Sequence, residues 1–240
     1  MEKKYKLTKE TINVFNKTLY RIEALRDFND VKKGDKGGFV EKEDNLSQSD
    51  NCWVYDNAKV FGNAVVRNNA HVYGNTEVYN YAKVYGNAEV YGIAWVCDNA
   101  RVRGNARVFG YSEIFGNAEI FDNAWVYGNA EIFDDAKIYG LAWVYRNAKV
   151  CGSAEVCGDA RICADAKVEN NGDYIVFKNW WSSGRYFTWT KSNDMWKVGC
   201  FYGTGKELID KAYRDSEISG REYERIVKYV ETINNDLEIM

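Results

Sequence analysis

Every sixth residue from Val54 to Val168 is Val or Ile, twenty times in succession. Two residues before each stands a small side chain: Cys52, Ala58, Ala64, Ala70, Thr76, Ala82 and so on to Ala166. Seventeen of these twenty are Ala. The unit reads Ala-x-Val-x-Gly-Asn, as in Ala82-Lys83-Val84-Tyr85-Gly86-Asn87. A strand this short cannot bury an apolar side alone, so it must stack on copies of itself. Ala-x-Val-x alternates with period two, which turns Ala and Val to one face and the two x residues to the other. Gly-Asn then supplies residues that tolerate positive φ and turn a corner. Three strands and three corners close a triangle in about eighteen residues, so the repeats build roughly 6.7 coils, about 32 Å tall at ~4.8 Å per coil. Each buried Val or Ile contributes ~1.5–3 kcal/mol. Proline is absent, as suits a stack in which each Pro would delete a ladder hydrogen bond.

The Ala-x-Val-x-Gly-Asn unit resembles the hexapeptide repeat of left-handed parallel β-helix proteins. The left-handed sense is what that resemblance implies, since general crossover rules favour right-handed connections. The leader narrows it. Leu19-Tyr20-Arg21-Ile22, Asp27-Phe28-Asn29-Asp30-Val31, Gly37-Gly38-Phe39-Val40 and Asn45-Leu46-Ser47, followed by Asn51-Cys52-Trp53-Val54-Tyr55, look like the start of hexapeptide-repeat proteins carried by phages and prophages. That family is largely without assigned activity, and a shared fold is a weak warrant for one.

Three regions follow: a β-rich N-terminal cap over 1–51, the β-helix over 52–171, and a small α+β domain over 172–240. In the cap, residues 18–25 alternate like a strand, Lys33–Gly38 is a glycine-rich turn, and Phe39-Val40 resumes an extended run. Its expected task is to cover the open edge of the first coil. Beyond Val168, Tyr174–Asn179, Tyr186–Thr190 and Met195–Val198 read as strands, with turns at Ser182-Ser183-Gly184 and Ser192-Asn193-Asp194. Gly205–Tyr213 and Gly220–Ile233 read as helices, the second with Tyr223, Ile226, Val227, Val230 and Ile233 as an apolar stripe. Trp180, Trp181, Tyr186, Phe187, Trp189, Trp196, Phe201 and Tyr202 supply the core of that domain, although a unit so small does not easily bury them all.

A net charge of −3 argues neither for nucleic acid nor for a mimic of it. No apolar run approaches the length of a membrane span, and Met1-Glu2-Lys3-Lys4-Tyr5-Lys6 has no signal-peptide core behind it. A cytoplasmic protein is expected. Cys151, Cys157 and Cys163 fall on three different sides, and Cys97 and Cys151 share a side at about 14 Å. Neither disulfide nor metal geometry is within reach, so the cysteines are expected to be free thiols. No cofactor is expected.

The resemblance brings acyltransferases into view, in which a histidine base and a loop between coils shape the donor site. Here residues 52–170 contain no insertion, and the one histidine, His71, takes an outward place on a flat side. A base needs an orienting partner and a dry cleft, so His71 reads as a surface residue and no catalytic residue is assigned. The same lone histidine excludes the three-histidine zinc site of γ-type carbonic anhydrases. Gly203-Thr204-Gly205-Lys206 departs from a phosphate loop at Cys200 and Glu207.

What remains is surface. One side carries Trp53, Tyr55, His71, Tyr73, Tyr91, Phe109, Trp125, Tyr127, Trp143 and Tyr145. With Tyr111 on the neighbouring edge, where it should meet Ile93, these rings form the expected partner-binding face, His71 excepted. Same-face aromatic pairing within the ladder accounts for part of the pattern. A second side offers Arg67, Lys83, Tyr85, Arg101 and Arg103 to a nucleic-acid backbone, a role that acidic residues further along oppose. The expectation is therefore a non-enzymatic, phage-type binding protein that engages a protein partner, such as an inhibitor of a host defence complex of the CRISPR–Cas kind. The alternatives are a self-assembling scaffold and a hexapeptide-repeat acyltransferase-like enzyme.

Overall fold

The computed structural model describes residues 3–181 and 183–239, so Met1, Glu2 and Ser182 of the expected 182–184 turn lie outside the described residues. From Trp53 to Val168 the chain winds as a triangular solenoid. Parallel strands eighteen residues apart pair in register, as in Trp95↔Glu113 and Val96↔Ile114. Two of the three sheets contain seven solenoid strands and the third six. All twenty Val and Ile of the repeat are fully buried, together with the small residues two places before them.

The corners divide their work differently from the expectation. Positive φ belongs to the first corner residue only, from Asp56 (φ 52°) and Gly62 (φ 70°) onward. The second corner residue builds side-chain ladders instead. Asn69 Nδ2 donates to Asn87 Oδ1 at 3.1 Å, Asn87 to Asn105 at 3.0 Å, and Asn105 to Asn123 at 3.1 Å. Asn thus stitches successive coils along an edge, and the ladder stops at Leu141, which is exposed.

The solenoid begins earlier than the strict repeat. Strands β1 (Tyr5–Val14) and β2 (Lys17–Ala24) form an antiparallel hairpin on β3 (Lys36–Val40). β3 already runs parallel to the first strand of its sheet (Val40↔Val60), and Leu46 bridges in parallel to Val66. Gly37 and Gly38 let β3 lie flat on the coil: a Cβ at Gly38 would sit 2.4 Å from the Ala58 carbonyl oxygen and 2.7 Å from Val54 Cγ1.

Every ladder N–H points toward the C-terminal end, as in Tyr55 N–H to the Val72 carbonyl at 2.8 Å. One end of the solenoid therefore presents bare carbonyls and the other bare N–H groups, and buried backbone groups demand partners. The N-terminal end receives donors. The buried Lys4 ammonium donates to the Ser49, Asp50 and Cys52 carbonyls at 3.2, 3.4 and 2.8 Å, and also to Cys52 Sγ at 3.3 Å. Buried Asn45 donates to the Ala64 carbonyl at 2.9 Å. The C-terminal end receives oxygens. Asn171 Oδ1 accepts from Glu155 N–H, Thr188 Oγ1 from Arg161 N–H, Ser192 Oγ from Lys167 N–H and Asp173 Oδ2 from Glu169 N–H, at 2.7, 3.0, 2.7 and 2.8 Å.

Those acceptors belong to the C-terminal region. It forms a four-stranded antiparallel sheet of Tyr174–Lys178, Tyr186–Thr190, Met195–Val198 and Phe201–Gly203, followed by helices α1 (Gly205–Asp215) and α2 (Glu217–Ile239). The last strand goes beyond the sequence reading. Gly203-Thr204-Gly205-Lys206 starts α1: Thr204 caps it and Glu207 bonds back to the Thr204 N–H at 2.8 Å. Phe187, Trp189, Trp196, Leu208, Val227 and Val230 form the core, whereas Trp180 is 81% exposed.

Candidate functional site

Trp53 was expected on a partner-binding surface, and the structure corrects this: it is 1% exposed. The reason is the loop after β2. Phe28 and Val31 bridge across a tight turn, with Asn29 at φ 46°. Phe28 packs edge-on against Trp53 at 5.3 Å, and Tyr5 does so at 6.1 Å. Trp53 thereby anchors the loop, and the loop lays Asp30 over the first coils. The Tyr55 hydroxyl donates to Asp30 Oδ1 at 2.9 Å. Burial and then the Asp30 carboxylate push that hydroxyl well above its ordinary pKa, so it stays a donor.

His71 lies beside this pair. Its ring meets Tyr55 edge-on at 5.4 Å, and its Nε2 is buried without a hydrogen-bond partner. Asp30, Tyr55, Asp56, His71 and Tyr73 line a shallow, open depression of about 280 Å³. The Tyr73 hydroxyl is pushed up to about 12, by burial first and then by Glu89. The flat side of the sequence reading thus carries a shallow, open depression bordered on one side by Asp30 of the N-terminal cap. Asp30 and Asp56 were missed. Asp30 reaches the depression on a loop held by the Phe28–Trp53 contact, by buried Val31 and by the Tyr55–Asp30 bond, none of which has a period. Asp56 left no distinguishing signal, because Asp98, Asp122 and Asp134 occupy the same positive-φ corner.

Most of the remaining rings on this side pack on one another. Tyr73, Tyr91, Phe109, Tyr127 and Tyr145 form a continuous column at 4.7–5.0 Å, with neighbouring rings within 7° of parallel. Tyr145 is buried, and Tyr111 on the edge is 61% exposed. Trp125 and Trp143 stack at 5.0 Å. Arg107 covers Trp125 at 5.3 Å and Arg161 covers Trp143 at 4.0 Å. The ring faces are thus occupied within the chain, and mainly edges and hydroxyls reach the surface. On the expected nucleic-acid side, Arg101 and Arg103 reach Glu119 at 2.8 and 3.5 Å. Arg67 lies over Tyr85 at 4.8 Å, and Lys83 is exposed. Among the described residues no cluster of metal-ligating side chains occurs, and the cysteines are free thiols. No described helix is long and apolar enough to cross a membrane.

The chain is a hexapeptide-repeat β-helix protein. No family model matches it. It is 49% identical over 51 residues to a protein of Escherichia coli (strain K12) named "Uncharacterized acetyltransferase YdcK". That stretch is 21% of this chain and 16% of the relative, so the chain spans about a sixth of the relative's length. The relative's name overturns the expectation of a non-enzymatic inhibitor of host defence and points to acyl transfer, the reading that the flat-side argument had set aside.

Proposed function

We propose that this chain is a hexapeptide-repeat acyltransferase-like enzyme, which moves an acyl group from a thioester to an acceptor held in the His71 depression. The observation that carries the proposal is the sequence shared with a named acetyltransferase, in a chain whose one histidine lies beside the Tyr55–Asp30 hydrogen bond in a surface depression that a second copy would have to close. His71 takes a proton from the acceptor, the acceptor atom attacks the thioester carbonyl, and the tetrahedral intermediate expels the thiolate, which is protonated. Tyr55 and Asp30 hold one border of the depression. A second copy of the chain against the aromatic side would exclude water from it. The phage or prophage setting belongs to this proposal as well. It rests on the leader residues and has no bearing on the chemistry.

The test is thiol release from acetyl-CoA in the presence of candidate acceptors, with His71→Gln beside the unchanged protein. Loss of a general base lowers the rate by about 10²–10⁴, while stability should hold because the ring is only partly buried. An unchanged rate in His71→Gln, or no acetyl-CoA binding, would remove the proposal.

A further inference from the structure

We infer that the C-terminal region holds a binding site of its own, a cavity between its sheet and α2 that takes a small amino alcohol in its cationic form. The cavity measures about 200 Å³ and is more enclosed than the His71 depression. Its inner wall is aromatic. Trp189 and Trp196 are direct cross-strand partners, 3% and 2% exposed, and both line it, beside Gly205 at the start of α1. From α2 come Glu231 and Asn234, three residues apart on one face. Asp194, at φ 50° in the turn between the two Trp strands, completes the rim.

Two polar groups in this cavity lack partners. Asn234 Oδ1 is buried and accepts no hydrogen bond. Trp196 Nε1 stands 3.3 Å from the place that a Cβ on Gly205 would take, and it donates to no described residue. A buried indole N–H ordinarily finds an acceptor, as Trp189 Nε1 does on Asp194 Oδ1 at 2.8 Å. One of the two unmet groups needs a donor and the other an acceptor. A hydroxyl supplies both from a single atom. A carboxylate would leave Asn234 Oδ1 unmet, and an ammonium would leave Trp196 Nε1 unmet.

The rim sets the charge of the ligand. Asp194 and Glu231 are exposed and form no ion pair among the described residues, and no described Lys or Arg lines the cavity. Exposed carboxylates of this kind occur elsewhere on the chain. What is particular here is the enclosed aromatic space behind them and its two unmet polar groups. A cation at the rim meets both carboxylates and lies against the indoles. A hydroxyl two carbons from an ammonium thus places the polar end inside and the charge at the mouth.

The probe is ethanolamine hydrochloride, titrated into the whole protein. The chain has eight tryptophans, and the indole N–H signal of Trp196 is found by NMR assignment. Ethanolamine should shift that signal saturably. Ethylammonium chloride, which lacks the hydroxyl, and ethylene glycol, which lacks the charge, should each bind about threefold to tenfold more weakly. The isosteric double variant Asp194→Asn/Glu231→Gln should weaken ethanolamine by about the same factor, and its amide at 194 can still accept from Trp189. Asn234→Leu should weaken it without changing the charge. No saturable shift of the Trp196 signal, or unchanged affinity in both variants, would overturn the inference. Equal binding of all three probes would show a cavity open to any small solute and would overturn it as well. The acyl-transfer reading stands or falls separately, on acetyl-CoA turnover and His71→Gln.

Discussion

Trp53→Ala should detach the N-terminal cap from the solenoid without unwinding the coils beneath it. The indole is 1% exposed, and its edge contacts to Tyr5 and Phe28 are the aromatic link between coil and cap. Truncating a buried Trp costs ~3–5 kcal/mol, of which the two edge-on contacts account for ~0.5–1.5 kcal/mol each. The rest is lost burial and the cavity left behind. Trp53→Phe keeps a ring against Phe28 and should cost less. The loss is local, because the Trp53 strand has one solenoid neighbour, the strand at His71. Native-state hydrogen exchange reads this directly. The Phe28 and Val31 amides, which bond to each other's carbonyls at 3.0 and 2.9 Å, should exchange faster by the full destabilisation. The Glu119 and Trp125 amides in the middle coils should keep their protection. The Tyr55–Asp30 bond should weaken as well, moving the His71 imidazole signals in an NMR spectrum. A cost below ~1 kcal/mol, or equal loss of protection at Trp125, would refute the view that Trp53 is the anchor of the cap.

Three further outcomes are expected. Thr188→Val leaves the Arg161 N–H unsatisfied at the end of a ladder and should cost ~1–3 kcal/mol. Thr188→Ser should be milder, and exchange at the Arg161 amide separates the two variants. Gly38→Ala forces a Cβ to within 2.4 Å of the Ala58 carbonyl oxygen; urea unfolding should show a loss of ~1–3 kcal/mol or more. Burial alone would raise the Glu41 pKa, but the Lys17 ammonium at 2.8 Å and the Gly62 N–H at 2.6 Å outweigh it and hold the group below its ordinary value. A depressed folded pKa means that Glu41 stabilises above the unfolded pKa of ~4.3 and that this stability fades as pH falls through the lower folded value. Glu41→Gln should therefore lower stability at neutral pH and flatten the acid limb of a stability–pH curve.

The repeat was legible because each unit carries its own burial pattern: Val54 to Val168 needed only period and side-chain size. The strands and helices after Tyr174 were legible for the same local reason, except Phe201–Gly203, which is too short to show alternation. The first partial coil escaped the reading because Val40 and Leu46 are six apart but Leu46 and Val54 are eight, so the phase slips before the repeat settles. Trp53 misled because its outward position in the repeat was taken as exposure, and only the cap packed over it decides otherwise. Trp125 and Trp143 were read as part of the partner-binding face. Their column runs from Arg107 to Arg161 at eighteen-residue steps, and each ring face is covered by the next member. The His71 depression depends on Asp30, which is brought in by a loop tied down through contacts such as Phe28 with Trp53. Such a contact between distant segments leaves no mark in local pattern.

The unlike ends of the solenoid make its length a quantised property. Lys4 and Asn45 fit carbonyls, and Thr188, Ser192 and Asn171 fit N–H groups, so each cap is keyed to one pole and to one rotational phase. Excising eighteen residues such as Ala100–Asn117 removes one full coil and returns both caps to the same sides. Excising six turns the C-terminal domain by a third of a revolution, so that Thr188 arrives over the wrong strand. Lineages carrying this architecture can thus lengthen or shorten it in steps of three repeats while the His71 depression, built wholly at the first pole, is carried along unchanged.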